Sequence, residues 1–355
     1  MHVVILASAR HPLQQPFAGG LESLTWALVK GLRARGVDVT LFAGPGSDPA
    51  LDAREITVLP LELSDAARAD VSMPAEPWLQ EHHAYLQVML ELAGRTDVDL
   101  IHNNSLHHLP VALAQSCPAP MLTTLHTPPT PWLEPAIRLM DQRRSQFVAV
   151  SGYTAQQWGH VTDAAVVHNG VDTEVWTPGL GGDDLVWVGR VVPEKAPHEA
   201  VRIAAASGRH LRLAGPIGDP VYFREVLQPL LGPAAEYVGH LDVPSLRTLV
   251  GSSAAMLVTP AWDEPYGLVA AEAMACGTPV LGYRRGGLPE FVIDGCGVLV
   301  DPGDVAAAAS AVESVTRLSR DACRAHAVEH CSLDAMVDAY LDVYLTLSRA
   351  TLAAA

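Results

Sequence analysis

Two glutamates eight residues apart, Glu264 and Glu272, stand in the segment PAWDEPYGLVAAEAMACGTPV. The loop TPAWDEPYG follows an apolar strand and delivers Glu264. A helix predicted from about Gly267 to Cys276 then carries Glu272, and Gly277 closes it. Eight residues is a little over two helical turns, so both carboxylates can face one cleft. The N–H groups of Tyr266, Gly267, Leu268 and Val269 open the helix, and helix N-termini attract anions. One loop and one helix therefore suit a ligand that offers hydroxyls to carboxylates and a phosphate to backbone donors. Taken alone, two glutamates read as surface charges. Their neighbours change that reading: Leu268, Val269, Ala270, Ala271, Ala273, Met274 and Ala275 leave Glu272 as the only charge on an otherwise buried helix. A charge there needs a partner.

A second constellation is VGRVVPEKAPHEAVRIAA, where a strand ends at Gly189-Arg190 and a loop carries Lys195 to the next helix. Only two of the 23 basic residues are lysines, Lys30 and Lys195. Arg190 offers a planar set of donors and Lys195 a compact charge, a combination suited to a diphosphate. The competing reading is a solvated pair with Lys195 bridged to Glu194. A third constellation is the loop HPLQQPFAGGLES, in which Gly19 and Gly20 let the backbone approach a ligand at a helix start. It lacks the G-x-G-x-x-G dinucleotide fingerprint, and by itself it reads as a tight turn. His126 follows a strand end and precedes a proline loop, a position for a ligand contact. His102, His107 and His108, with Asn103 and Asn104, follow another strand and are expected to line a pocket for a second substrate, the acceptor. The histidines show no ordered ligand spacing, so no metal site is expected. Asp97-Val98-Asp99 spells a D-x-D metal motif but lies at the amino end of its strand, away from the predicted site.

These residues need a scaffold. Short β-branched runs alternate with helical patterns: HVVILA, then LESLTWALVKGLRARG, then VDVTLFAG. Further strands are DLIHNN, PMLTTLH, QFVAVS and AAVVHNG, each ending in polar residues. After the Pro/Gly-rich stretch from Thr177 to Gly182 the pattern restarts, with strands LVWVGR, HLRLAG, AEYVGH, AAMLVTP, TPVLGY and GVLV. The prediction is an α/β protein with two Rossmann-like domains facing across a cleft. The first domain spans 1–178, the second spans 179–334, and about 335–355 returns to the first as helix. In open parallel sheets, ligands sit at the carboxyl ends of strands, which is where the constellations lie. The turns LAGP and YVGHL, with His240 and Leu241, follow two of these strands and are further candidates for contact with the ligand.

Composition excludes several partners. The 355 residues carry a net charge of −16, which argues against nucleic acid and anionic bilayers. Residues 1–180 hold ten basic side chains against eighteen acidic ones, so the first half has no basic docking face. No apolar run reaches the roughly 18 residues that a membrane span needs. The start, MHVVILASARHP, reads as a buried strand rather than a signal peptide, and a cytoplasmic location is expected. Five scattered cysteines without a C-x-x-C pair are expected to be reduced and buried. Nothing in the sequence sets the oligomeric state.

The chain resembles glycosyltransferase family four, retaining enzymes of the two-Rossmann-domain GT-B type. The resemblance runs through AGGLE, SGYTAQQW, HNGVD, VGRVVPEKAPHEAV, LAGP, YVGHL and DEPYGLVAAEAMACGTPVLGYRRGGLPEFVIDGCGVLVDPGD. It implies that Glu264 binds donor-sugar hydroxyls, Glu272 the ribose, Arg190 and Lys195 the diphosphate, and His126 the sugar. It also implies that the loop at Gly20 approaches the diphosphate from the other domain. Tyr266 and Ala196 stand where many members have phenylalanine and glycine. The implied activity is metal-independent transfer from a nucleoside-diphosphate sugar, UDP or GDP most readily, to an acceptor, with no other cofactor. The acidic first domain suits a soluble small acceptor and no stable membrane association. Two alternatives stay open at this point: a sugar-nucleotide epimerase of the same architecture and a non-catalytic sugar-nucleotide sensor.

Overall fold

The computed structural model describes residues 1–58, 60–70, 72, 75–141 and 145–354, with side chains to residue 349. Two parallel sheets organise them. The first contains β1 (His2–Leu6), β2 (Asp38–Ala43), β3 (Arg54–Glu55), β4 (Leu100–Asn103), β5 (Met121–Leu125), β6 (Ser145–Ala149) and β7 (Ala164–Val166), in the order β3-β2-β1-β4-β5-β6-β7. The second contains β8 (Leu185–Val188), β9 (Leu211–Ala214), β10 (Ala235–Gly239), β11 (Ala255–Val258), β12 (Val280–Tyr283) and β13 (Gly297–Val300), in the order β10-β9-β8-β11-β12-β13. In both, the strand order reverses beside the first strand, and a crevice opens at such a switch point. The predicted strands all form. The sequence pattern misses β3, two exposed residues at a sheet edge that pair with Phe42 and Ala43.

The apolar runs are continuous because helices cover both faces of each sheet. One face of the first sheet is closed by the helix Gly20–Ala34 and the terminal helix Leu333–Ala354, through Leu24, Leu28, Leu32, Val337, Tyr340 and Tyr344. The other face is closed by the helix Glu76–Ala93, through Tyr85, Val88 and Leu92. The terminal segment is one helix, and it returns to the first domain as expected; residue 355 of that segment lies outside the described residues. Its contact is close: a Cβ on Gly31 would lie 2.7 Å from Val337 Cγ2. Arg35 adds ion pairs to Asp334 and Asp338 at 2.9 and 2.6 Å.

The chain passes between the two sheets twice, and the passages touch. Val171 N–H donates to the Cys331 carbonyl at 2.8 Å, and Leu333 N–H donates to the Val171 carbonyl at 2.8 Å. All five cysteines are free and buried. No described helix is long and apolar enough to cross a membrane.

Candidate functional site: a cleft between the two sheets

A cavity of about 520 Å³ lies between the domains, lined from both. Its second-domain wall carries Gly189, Arg190 and Lys195 after β8, His240 and Leu241 after β10, and the stretch Glu264 to Val269 with Glu272 after β11. Its first-domain wall carries Gly19 and Gly20 at the helix start after β1, and His126 after β5. Residues distant in sequence meet because each follows the carboxyl end of a parallel strand.

The helix predicted near Gly267 runs from Leu268 to Ala275. Gly267 caps it with φ 104°, a conformation that side chains disfavour, and a Cβ there would lie 2.6 Å from Leu288 Cδ2. The first N–H groups of a helix lack intrahelical partners, and Leu268 and Val269, which carry two of them, line the cavity. The Tyr266 ring turns the other way and stacks on Phe291 at 4.5 Å, so what this residue can offer a ligand is backbone. Gly20 faces the same helix: a Cβ on it would lie 3.0 Å from Leu268 Cδ1.

Glu272 finds no counter-ion and no hydrogen bond among the described residues. Burial pushes its carboxyl up to about 7. Its side chain lines the cavity. Glu264 differs: its carboxylate is ion-paired with Lys195 and accepts the Trp262 indole N–H at 3.2 Å. The partner of Lys195 is thus Glu264, sixty-nine residues away, and not the adjacent Glu194. Arg190 is exposed to the cavity and has no ion pair among the described residues. Between Arg190 and the helix that follows, Ala196 adopts left-handed backbone with φ 45°, which costs a non-glycine residue about 1–2 kcal/mol. That strain accounts for glycine being common here in the family that the sequence resembles.

His126 donates its Nε2–H to the Asn104 side-chain oxygen at 2.9 Å, which leaves Nδ1 as a lone-pair acceptor. Burial pushes its pKa down to about 3, so the ring is neutral. His240 Nε2–H donates across the cleft to the Phe17 carbonyl at 3.1 Å.

The structure does not bring the expected acceptor residues His102, Asn103, Asn104 and His107 to the cavity wall. His102 is fully buried between Tyr344 Oη at 2.6 Å and Thr124 Oγ1 at 2.8 Å; it ties the terminal helix to the first sheet. Asn103 is equally buried and accepts the Ser105 N–H and hydroxyl at 3.1 and 2.7 Å. His107 stacks on Tyr85 at 4.5 Å and accepts the Leu109 N–H at 3.1 Å, capping a short helix. The polar pattern was legible, but satisfied core groups look the same in sequence as pocket groups. Asn104 acts one step back, by orienting His126. Instead, the first-domain wall presents Ser8, Arg10, His11 and Glu22. Arg10 pairs with Glu81 at 3.1 Å. Glu22 is only 6% exposed and has no partner among the described residues. The sequence signal for it was present in AGGLE, one helical turn from Gly19, but an acid in a first turn reads as dipole compensation. Among the described residues no group of three His, Cys, Asp or Glu is placed to hold a metal.

Comparison with known proteins agrees with this architecture. Residues 18–175 match the sequence model of Glycosyltransferase Family 4, and residues 176–328 match that of Glycosyl transferases group 1. Glycogen synthase from Mycobacterium tuberculosis is 32% identical over 274 residues, 66% of this chain; the chain spans 65% of that relative's length. D-inositol 3-phosphate glycosyltransferase from Thermomonospora curvata is 32% identical over 411 aligned positions, which cover 94% of this chain and 92% of the relative. Anabaena HepE, solved in complex with UDP-glucose, superposes with a TM-score of 0.74 over 98% of this chain and 100% of its own, at 18% identity. With two family models in tandem along the chain, a relative matched over nearly its whole length and a two-sheet cleft, this protein belongs to the family-four glycosyltransferases of the GT-B fold.

Proposed function

We propose that the protein transfers a sugar from a nucleoside-diphosphate sugar to a soluble small-molecule acceptor, with retention of anomeric configuration and without a metal. The observation that carries this reading is the convergence of Arg190, Lys195, Glu264, Glu272 and the start of the Leu268–Ala275 helix on one cavity wall. Arg190, Lys195 and the helix N-terminus supply positive potential for a diphosphate. Glu272 accepts ribose hydroxyls, Glu264 accepts sugar hydroxyls, and Nδ1 of His126 accepts another from the opposite wall. Gly19 and Gly20 admit the diphosphate from the first domain, and Gly189, Tyr266, Gly267, Leu268 and Val269 offer backbone to it. His240 and Leu241, on the same wall of the cavity, contact the base.

As the bond from the anomeric carbon to the β-phosphate oxygen breaks, the electron pair leaves with the phosphate and positive charge grows on the sugar. Donors already aimed at the leaving oxygen stabilise it without reorganisation. The acceptor attacks from the same face, and its proton passes to the leaving phosphate, so no protein base is required. A UDP sugar is the first donor to test, because HepE binds UDP-glucose. The acceptor is a sugar, a thiol or a natural-product intermediate. The acidic first half disfavours an anionic bilayer.

A thermal-shift screen with UDP, GDP, ADP and dTDP sugars tests the donor assignment: a ligand at 100 times its Kd adds about 2.7 kcal/mol of stability and raises the Tm. No shift with any of them sinks the proposal. NMR of the product's anomeric proton tests retention. Strong co-sedimentation with anionic vesicles at low salt contradicts the soluble-acceptor reading.

A further inference from the structure

Glu264 sits in an irregular loop, Pro260 to Tyr266, with no helix or strand of its own to hold it. Its carboxylate partners, Lys195 and Trp262, belong to the second domain. Its chain neighbours are held from both domains: Arg285 of the second pairs with Asp263 at 3.0 Å and also donates to the Ala261 carbonyl, and the first domain adds two bonds. Tyr153 Oη–H donates to Asp263 Oδ2 at 2.6 Å. Ser151 Oγ–H donates to the Pro265 carbonyl at 2.6 Å. Pro265 has no N–H, so it cannot brace the loop with an amide of its own. Ser151 is fully buried, so no water competes for its bond to Pro265. On the same turn the Glu290 carboxylate, from the second domain, accepts the N–H groups of Gly152 and Tyr153 at 2.8 and 2.7 Å. It also accepts His168 Nε2–H at 2.8 Å, beside the passage between the domains.

We propose that Tyr153 and Ser151 are positioning residues for Glu264: they complete its bracket across the cleft, so that the sugar-binding carboxylate is held most firmly when the two domains are closed. The sugar role of Glu264 rests on the function proposed above; the bracket itself does not. In a closed molecule both neighbours of Glu264 are fixed and its carboxylate is aimed. In an open one the loop keeps its second-domain contacts: the Lys195 and Trp262 contacts of the Glu264 carboxylate, the Arg285 pair with Asp263 at 3.0 Å, the Ala261 N–H bond to the Glu194 carbonyl and the Gly287 N–H bond to the Glu264 carbonyl, each at 2.8 Å. Binding of the diphosphate, which uses Arg190, Lys195 and the helix N-terminus, does not call on the bracket. Holding the sugar does.

Tyr153→Phe removes one oxygen and tests this. Hydrogen exchange of amides 261–267 in the ligand-free protein is expected to accelerate about tenfold, with the remaining amides unchanged. UDP should bind Tyr153→Phe within about twofold of wild type. The extra affinity of UDP-glucose over UDP should fall about five- to tenfold, less than the full worth of one charge-assisted hydrogen bond because the bond acts on Glu264 through its neighbour. Release of UDP from UDP-glucose should slow by a similar factor. Unchanged exchange overturns the bracket, and so does an equal weakening of UDP and UDP-glucose, the mark of a merely structural residue. If wild type binds neither ligand, the donor reading fails on its own, and the exchange comparison alone decides the bracket.

Discussion

The ammonium of Lys195 is ion-paired with the carboxylate of Glu264, so the residue proposed for the diphosphate and the residue proposed for the sugar are in contact before either ligand arrives. Each holds the other in place: the pair ties the Lys195 side chain to the cavity wall and fixes the direction of the Glu264 carboxylate.

Lys195→Ala is therefore expected to do two kinds of damage. It removes a cation from the leaving phosphate and frees the Glu264 carboxylate. Loss of a single donor aimed at developing charge costs about 100- to 1,000-fold in turnover. Steady-state kinetics with the donor found by thermal shift measures it, and turnover within tenfold of wild type would falsify the assignment.

Glu272 makes stability depend on pH. Its carboxyl is raised from 4.5 to about 7, so between those values the folded chain binds more protons than the unfolded one. Its contribution to stability then falls as pH rises through that window and levels off above it, by roughly 3 kcal/mol in all, against the opposite trend of the buried His102, His107 and His126. Glu272→Gln should remove that contribution: equal in stability to wild type near pH 4.5, it should be the more stable ligand-free protein at pH 8. Denaturation curves at several pH values check this, and parallel pH dependence in the two proteins counts against it.

Burial keeps His126 neutral, and the Asn104 amide oxygen sets which ring nitrogen carries the proton. In wild type the imidazole should show no titration between pH 5 and 8, since burial pushes its pKa to about 3. Asn104→Asp places a carboxylate at the same 2.9 Å contact and favours the imidazolium, moving the titration upward. Histidine ring-proton NMR reads the change directly. A His126 that titrates near 6.5 in wild type contradicts the burial argument.

Gly286 supports Glu264 from below. With φ 60° and space for a Cβ only 2.0 Å from the Glu264 carbonyl oxygen, alanine there is strained and collides with backbone. Gly286→Ala should cost about 2 kcal/mol or more in urea denaturation. Because the displaced atoms belong to Glu264, turnover should fall more steeply than the folded fraction.

Much of the architecture was legible in the sequence because parallel strands buried on both faces must be apolar throughout. Runs such as HVVILA and AAMLVTP therefore mark strands without ambiguity. The cleft residues of the second domain were legible for a related reason. Glu272 is a lone charge on an apolar helix, and Lys195 is one of two lysines in the chain. Local contrast marked them. The acceptor side had no such contrast. His102, Asn103 and His107 are polar residues at a strand end, yet they are consumed by Tyr344, Ser105 and Tyr85 inside the fold.

By itself the sequence determined the two α/β units, the helix that carries Glu272 and the return of the terminal helix, because each follows from periodicity and turn chemistry over neighbouring residues. Only the tertiary structure decided who partners whom: Lys195 with Glu264, Asn104 with His126, Tyr153 with Asp263. Those pairs are separated by 22 to 110 residues. Which polar groups are satisfied inside the fold and which are left facing a cavity depends on how sheets, helices and the two domains pack, and no local pattern along the chain carries that information.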